Sequence, residues 1–214
     1  MELRKIRQQI RGVSFLGVLM VCSCLLLGWA DDLDGIKENV AFVTSVQASF
    51  VQEKHLEILD DPLISRGVLY FAAPYSLRWE YQHPVRSVLL MDNENIRQYS
   101  QAGSEMVAQK NRELEVMRVF LREICMWMQG EFSANPDLDA EVMPGGMVLL
   151  KPDKNSAMAQ VIQRIELRLT NDPGVIESVT IYEDETSHTT ILFHDTTINR
   201  HIKRDVFQTL NPDE

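Results

Sequence analysis

The sequence predicts a mainly β chain with inserted helices, an α+β arrangement built on one strongly curved antiparallel sheet or open barrel. Two observations carry that expectation. Many short runs alternate apolar and polar residues with period two and are separated by brief turns, which favours an antiparallel meander over βαβ units. A single long run with helical periodicity interrupts them, and it is apolar around much of its circumference.

In chain order, Leu33, Ile36, Val40 and Val43 recur at helical spacing behind Asp31, Asp32 and Asp34, which suit the positive end of a helix dipole. From Val46 the period becomes two, with Val46, Ala48, Phe50 and Gln52 on one face of a first strand. Leu56 to Pro62 is a loop. A hairpin follows, with strands over Ile64–Phe71 and Ser76–Gln82 around the turn at Pro74. Leu77, Trp79 and Tyr81 share one face of its second strand, and Arg78 and Glu80 take the other. Ser87–Met91, Asn95–Tyr99 and Glu105–Gln109 are three further strands, joined by turns at Asp92-Asn93-Glu94 and Gln101–Ser104. The helix is predicted over Asn111 to Gln129 and closed by Gly130. Strands then resume at Glu141–Met143, Met147–Lys151, Val161–Thr170, Val175–Tyr182 and Thr189–Asp195, and Asn199 to Pro212 ends the chain.

The N-terminus has a separate character. Arg4, Lys5, Arg7 and Arg11 precede an almost wholly apolar run, Val13 to Ala30, which ends in Gly28-Trp29-Ala30 before Asp31 and Asp32. This is the layout of a secretory signal peptide over residues 1–30. A membrane anchor and a lipoprotein signal at Cys24 are the competing readings. Removing the segment leaves 17 of 21 Lys+Arg and 30 of 31 Asp+Glu, a net charge of −13. Nucleic acid and anionic lipid surfaces repel so acidic a chain. Cys125 is then the only cysteine, so no intramolecular disulfide forms. The remaining residues suffice to bury roughly 70% of the unfolded surface without a covalent staple.

Catalytic patterns are missing: no Gly-x-Ser-x-Gly elbow, Ser-x-x-Lys, glycine-rich phosphate loop or His-Glu-x-x-His. His188, His194 and His201 lie close in sequence, but a solvated strand face explains them better than a zinc site does. Asp184 and Glu185 fit turn chemistry, and Cys125 fits an inert buried thiol. The sequence therefore supports a non-enzyme without cofactor, metal or catalytic residue.

Apolar material is what stands out. The predicted helix has Leu114, Met117, Phe120, Leu121, Ile124 and Met128 on one stripe, and three of its 19 residues are methionine. Methionine collects where an apolar surface must adapt. Two readings stay open: an ordinary core between helix and sheet, or a cavity whose lid is the helix, opening for a lipid chain.

The run Gly67-Val68-Leu69-Tyr70-Phe71, Pro74, Leu77-Arg78-Trp79-Glu80-Tyr81, Pro84, Ser87-Val88-Leu89-Leu90 and Asp92 resembles the signature of the LolA family, periplasmic carriers of outer-membrane lipoproteins. Ala48–Gln52, Tyr99, Val148–Pro152, Phe207 and Pro212 extend the resemblance across residues 31–214. It implies an incomplete β-barrel of antiparallel strands, capped by helices, around a hydrophobic cavity for acyl chains. It also implies a periplasmic monomer that receives acylated lipoproteins from an inner-membrane ABC transporter and passes them to an outer-membrane receptor. A carrier of another lipid and a lipid-sensing regulatory module are the alternatives within the same fold. The cavity is expected from Phe50, Leu69, Phe71, Leu77, Trp79, Tyr81 and Leu89 on the strands, with Met117, Phe120, Leu121, Ile124 and Met128 on the helix. One position departs from the family: the arginine proposed to latch the lid, just before the hairpin proline, is Ala73 here.

Overall fold

A computed structural model describes residues 33, 40, 42–109, 113–170 and 175–211, with side chains at 113–117 excepted. The proposed signal segment and most of the helix predicted at Leu33–Val43 lie outside the described residues. Leu33 and Val40 themselves are helical.

Eleven antiparallel strands form one sheet in the order β6-β5-β4-β3-β2-β1-β11-β10-β9-β8-β7. They are β1 Ser45–His55, β2 Leu63–Ala72, β3 Ser76–His83, β4 Ser87–Asp92, β5 Asn95–Ala102, β6 Glu105–Gln109, β7 Leu138–Met143, β8 Met147–Pro152, β9 Arg164–Leu169, β10 Ile176–Tyr182 and β11 His188–Ile198. Because β6 and β7 are edges that do not pair, the curved sheet is an incomplete barrel. The helix α1, Glu113–Trp127, lies in the connection between those two edge strands. Two short 3-10 turns, Met158–Gln160 and Arg204–Phe207, complete the described elements.

Alternation decides which side chains face the concavity. Val46, Ala48 and Phe50 of β1, Leu69 and Phe71 of β2, and Leu77 and Trp79 of β3 are all buried there. They meet Leu121, Cys125 and Trp127 of α1 and the following Met128 in one apolar core. The helix ends as its glycine predicts. Gly130 adopts φ +74, its N–H donates to Trp127 O at 3.0 Å, and Glu131 N–H donates to Met126 O at 2.9 Å. That is a Schellman closure.

The opposite face of β3 is buried too, which its charged residues did not predict. Arg78 and Glu80 are 3% and 7% exposed. Their register partners Leu90 and Val88 on β4 are also buried, under the C-terminal segment carrying Phe207. Other departures are local. A 3-10 turn delays the strand predicted from Val161 to Arg164, and β11 runs three residues past Asp195. His188, expected on a solvated face, stacks on His55 at 4.4 Å and on Tyr182 at 5.6 Å.

Gly67 is where the strands approach most tightly. It stands between Phe50 and Tyr81 in register, beside an irregularity in the β2–β3 ladder. A Cβ there would collide with the Glu80 carbonyl oxygen and come within 2.7 Å of Phe50 Cζ. The Phe50 ring occupies that space and reaches Tyr81 edge-on at 5.4 Å. Gly67→Ala is therefore expected to cost about 1–3 kcal/mol through overpacking. Urea unfolding measures it, and an unchanged midpoint would show that the β3 backbone at Glu80 and the Phe50 ring both give way without cost.

Candidate functional site

The concave face does not close completely on α1. Between them lies a cavity of about 40 Å³ whose lining side chains are all apolar or aromatic. Trp79 of β3 forms one wall, Phe120, Ile124, Trp127 and the following Met128 form the helical roof, and Ile176, Val179 and Ile181 of β10 with Ile191 and Phe193 of β11 form the floor. A second, smaller space of about 10 Å³ shares Met128, Ile176 and Phe193 and continues toward Val46 and Ala48. Thr196 and Ile198 of β11 also line this second space.

Aromatic contacts set the wall. The Phe50 and Trp79 rings lie 4.7 Å apart, and Phe193 meets Trp79 nearly edge-on at 6.2 Å. Such pairs add about 0.5–1.5 kcal/mol beyond the area they bury. Tyr81 donates its hydroxyl to Gln52 Oε1 at 2.8 Å. Burial pushes its pKa up, while Trp79 and Gln52 partly offset that rise. Even so, the Trp79 N–H makes no hydrogen bond of acceptable geometry, and neither does that of Trp127.

The predicted residues are partly brought together. Trp79, Phe120, Ile124 and Met128 line the cavity. Phe50, Leu69, Phe71, Leu77, Leu89 and Leu121 are buried in the surrounding core, and Tyr81 packs against it half-buried. Met117 is helical, but its side chain lies outside the described residues. The floor from β10 and β11 was missed. Ile191 and Phe193 alternate as a core face should, but Ile176 and Val179 are out of period because β10 carries a bulge.

Polar contacts fasten the helix to the rim. Gln129 Nε2 donates to Pro74 O at 3.0 Å and to Cys125 O at 2.8 Å. The Arg122 guanidinium lies 5.1 Å from the Tyr75 ring centre, and Arg118 and Arg122 approach Glu94 at 3.6 and 4.0 Å. Ala73 is exposed, and its N–H donates to Thr44 O at 2.9 Å. Glu123 of α1 is buried and accepts from Asn135 Nδ2 at 2.6 Å; burial raises its pKa. The Cys125 thiol is buried and pushed up to about 12 by desolvation, which suppresses the reactive thiolate.

A larger groove of about 550 Å³ lies on the other side of the sheet, between β1–β3 and the C-terminal segment. It is polar. The Arg78 guanidinium donates to Glu80 Oε2 at 2.6 and 2.9 Å and to the carbonyls of Val206, Thr209 and Leu210 at 3.2, 2.9 and 2.9 Å. Arg86 Nε donates to the second Glu80 oxygen at 3.0 Å. These groups satisfy one another, so the apolar cavity is the better candidate site despite its smaller volume. Among the described residues, no group of three His, Cys, Asp or Glu side chains could hold a metal ion, and no helix is long and apolar enough to cross a membrane.

No curated protein matches the chain. Several solved structures align with it at low identity. A conserved protein from Thermus thermophilus aligns with TM-score 0.47 and 13% identity, over 85% of this chain and 93% of that one. Lipoprotein LppX of Mycobacterium tuberculosis gives 0.44 and 10%, over 80% and 95%. A LolA superfamily protein from Nitrosomonas europaea gives 0.40 and 11%, over 83% and 98%. The family described as outer membrane lipoprotein carrier protein LolA matches residues 41–209, which is most of the chain, and the chain belongs to that family.

Proposed function

We propose that the protein is a periplasmic carrier that binds the acyl chains of lipoproteins under α1 and shuttles them from an inner-membrane ABC transporter to an outer-membrane receptor. The observation that carries this reading is the wholly apolar cavity of about 40 Å³ between α1 and the concave sheet. Each methylene removed from water contributes about 0.8 kcal/mol, so a long acyl chain left in water costs on the order of ten kcal/mol. A soluble carrier must supply comparable apolar contact.

At about 40 Å³ the closed cavity has room for only a few water-sized groups. An acyl chain therefore requires α1 to move outward, exchanging its own apolar face for lipid. The contacts at the rim suit such a movement. Arg118, Arg122 and Glu94 are 40%, 55% and 76% exposed, and ion pairs of that kind contribute about 0–1 kcal/mol each. Gln129 bridging Pro74 O and Cys125 O holds the helix end to the hairpin turn that carries Ala73.

Protein recovered from periplasm is expected to carry triacylated peptides in native mass spectrometry. Another lipid class would select the alternative cargo, and preparations that never hold lipid would sink the carrier reading. Phe193→Glu, at a half-buried floor position, is expected to leave a folded protein that binds lipid at least tenfold more weakly, because an unpaired carboxylate enters an apolar site. Normal binding by that variant would place the ligand elsewhere.

Lid motion has its own reporter in Cys125. Gln129→Ala is expected to raise the rate of native-state thiol labelling at Cys125 by about 3- to 10-fold, the worth of one lost hydrogen bond. Mass analysis of the Cys125 peptide follows it. An unchanged rate would mean that opening does not pass through this contact.

A further inference from the structure

Arg78 and Glu80 satisfy one another at the floor of the polar groove, but positive charge is left over there. Glu80 Oε2 and three carbonyls of residues 206–210 occupy every N–H of the Arg78 guanidinium. Arg86 gives Glu80 only its Nε, at 3.0 Å. Its Nη groups have no partner among the described residues, and its side chain is 39% exposed. The Arg86 main chain is tied to Gln101 at 3.3 and 2.9 Å, so the residue is held from both ends. One carboxylate serves two arginines, and the second keeps a free edge.

The C-terminal segment adds to that charge. His201 and Lys203 line the groove with Arg86, and neither side chain has a partner among the described residues. They belong to the run Arg200-His201-Ile202-Lys203-Arg204, which holds no acidic residue in a chain of net charge −10. Glu80 is the one carboxylate among the described residues that line the groove, and both its oxygens are engaged. At about 550 Å³ the groove falls in the size range of small-molecule sites. Like charges gathered without a counter-charge repel, and an anion between them removes that repulsion.

The donors also select among anions. An arginine fork pairs with a carboxylate or a phosphate, and a lysine adds a point charge. Here they come from two sides, the entry to β4 and the C-terminal segment. A carboxylate presents two oxygens in one plane. A phosphate monoester presents three acceptor oxygens that point apart, so it reaches both sides at once. We propose that this groove binds the phosphate group of a monoester, held by Arg86, Lys203 and His201. The site lies across the sheet from the acyl-chain cavity and does not depend on that reading. The net negative charge of the chain disfavours an anionic bilayer, which points to a soluble ester as the source.

The test titrates the full chain, 15N-labelled at arginine and histidine, with glycerol 3-phosphate, glycerate and glycerol at low ionic strength. Glycerol 3-phosphate is expected to shift the Arg86 guanidinium and His201 ring signals saturably. It is expected to bind at least fivefold more tightly than glycerate, with glycerol leaving both signals unmoved. Lys203→Gln, at an exposed position, is expected to leave folding unchanged and weaken phosphate binding about tenfold, the worth of one charge-assisted hydrogen bond. Glycerate binding as tight as the phosphate ester, shifts that never saturate, or an affinity unchanged in Lys203→Gln would each overturn the phosphate site. Sedimentation with phosphatidylcholine vesicles containing phosphatidic acid separates the sources. Pelleting that glycerol 3-phosphate competes away and Lys203→Gln abolishes supports the site and assigns its phosphate to a lipid headgroup. Binding of the soluble ester alone supports it with a small-molecule source.

Discussion

Strand β3 is buried on both faces, and one of those faces is charged. Its apolar side, Leu77 and Trp79, belongs to the concave core, so Arg78 and Glu80 are turned toward the convex side, where they too are buried. Desolvating such a pair costs several kcal/mol per ion unless its hydrogen-bonding capacity is met. Glu80 is met by two arginines, and Arg78 by Glu80 and three main-chain carbonyls of residues 206–210. The C-terminal segment is thus required as an acceptor surface. Gln208, which donates to Asp92 Oδ2 at 2.7 Å, and Ser45, which donates to Arg200 O at 2.6 Å, anchor the same segment to the sheet. With β3 pinned from behind, Trp79 is held at a fixed place on the front.

The sheet therefore has two covers of different strength. The convex cover is locked by buried charge-assisted bonds, and removing one partner of such a pair costs about 3–5 kcal/mol. The concave cover, α1, is fastened by exposed ion pairs at the rim, by Gln129, by Arg122 over the Tyr75 ring and by the buried Glu123–Asn135 bond, together with its apolar contacts. Local opening draws on the least stable contacts. Because α1 lies in the connection between the unpaired edges β6 and β7, the outward movement proposed for it would break no strand ladder. The two faces are thus held by different chemistry, buried charge on the convex side and chiefly apolar packing on the concave one.

Much of this was legible in the sequence, for identifiable reasons. Period-two alternation located β1 and the β2–β3 hairpin, the apolar run Ser87–Met91 located β4, and Gly130 marked the helix end. The Gly67–Pro84 stretch was recognisable because Gly67, Phe50 and Tyr81 serve one packing need. What escaped notice involved side chains whose partners are distant in sequence. Arg78 and Glu80 were placed on the face opposite Leu77 and Trp79, but nothing local says that residues 199–211 fold back over them. The bulge in β10 moved Ile176 and Val179 out of period, which hid half of the cavity floor. The fold follows from local pattern, whereas the site depends on which faces meet.

A carrier of lipid must also let go, and the closed geometry offers a physical route to both. The space that an acyl chain would take is largely filled by the protein's own Phe120, Ile124, Trp127 and Met128. Binding is then an exchange: lipid methylenes gain apolar contact at about 0.8 kcal/mol each, while the helix gives up part of its own. The difference is much smaller than either quantity, so affinity can be set by modest changes in helix packing. Methionine and half-buried aromatics suit that balance because they repack at low cost. A preformed empty cavity of the same area would hold lipid far more tightly and release it too slowly to pass it on. In the proposed carrier role, the incompletely closed sheet, the self-filling helix and the locked back face would be parts of one solution to reversible transfer.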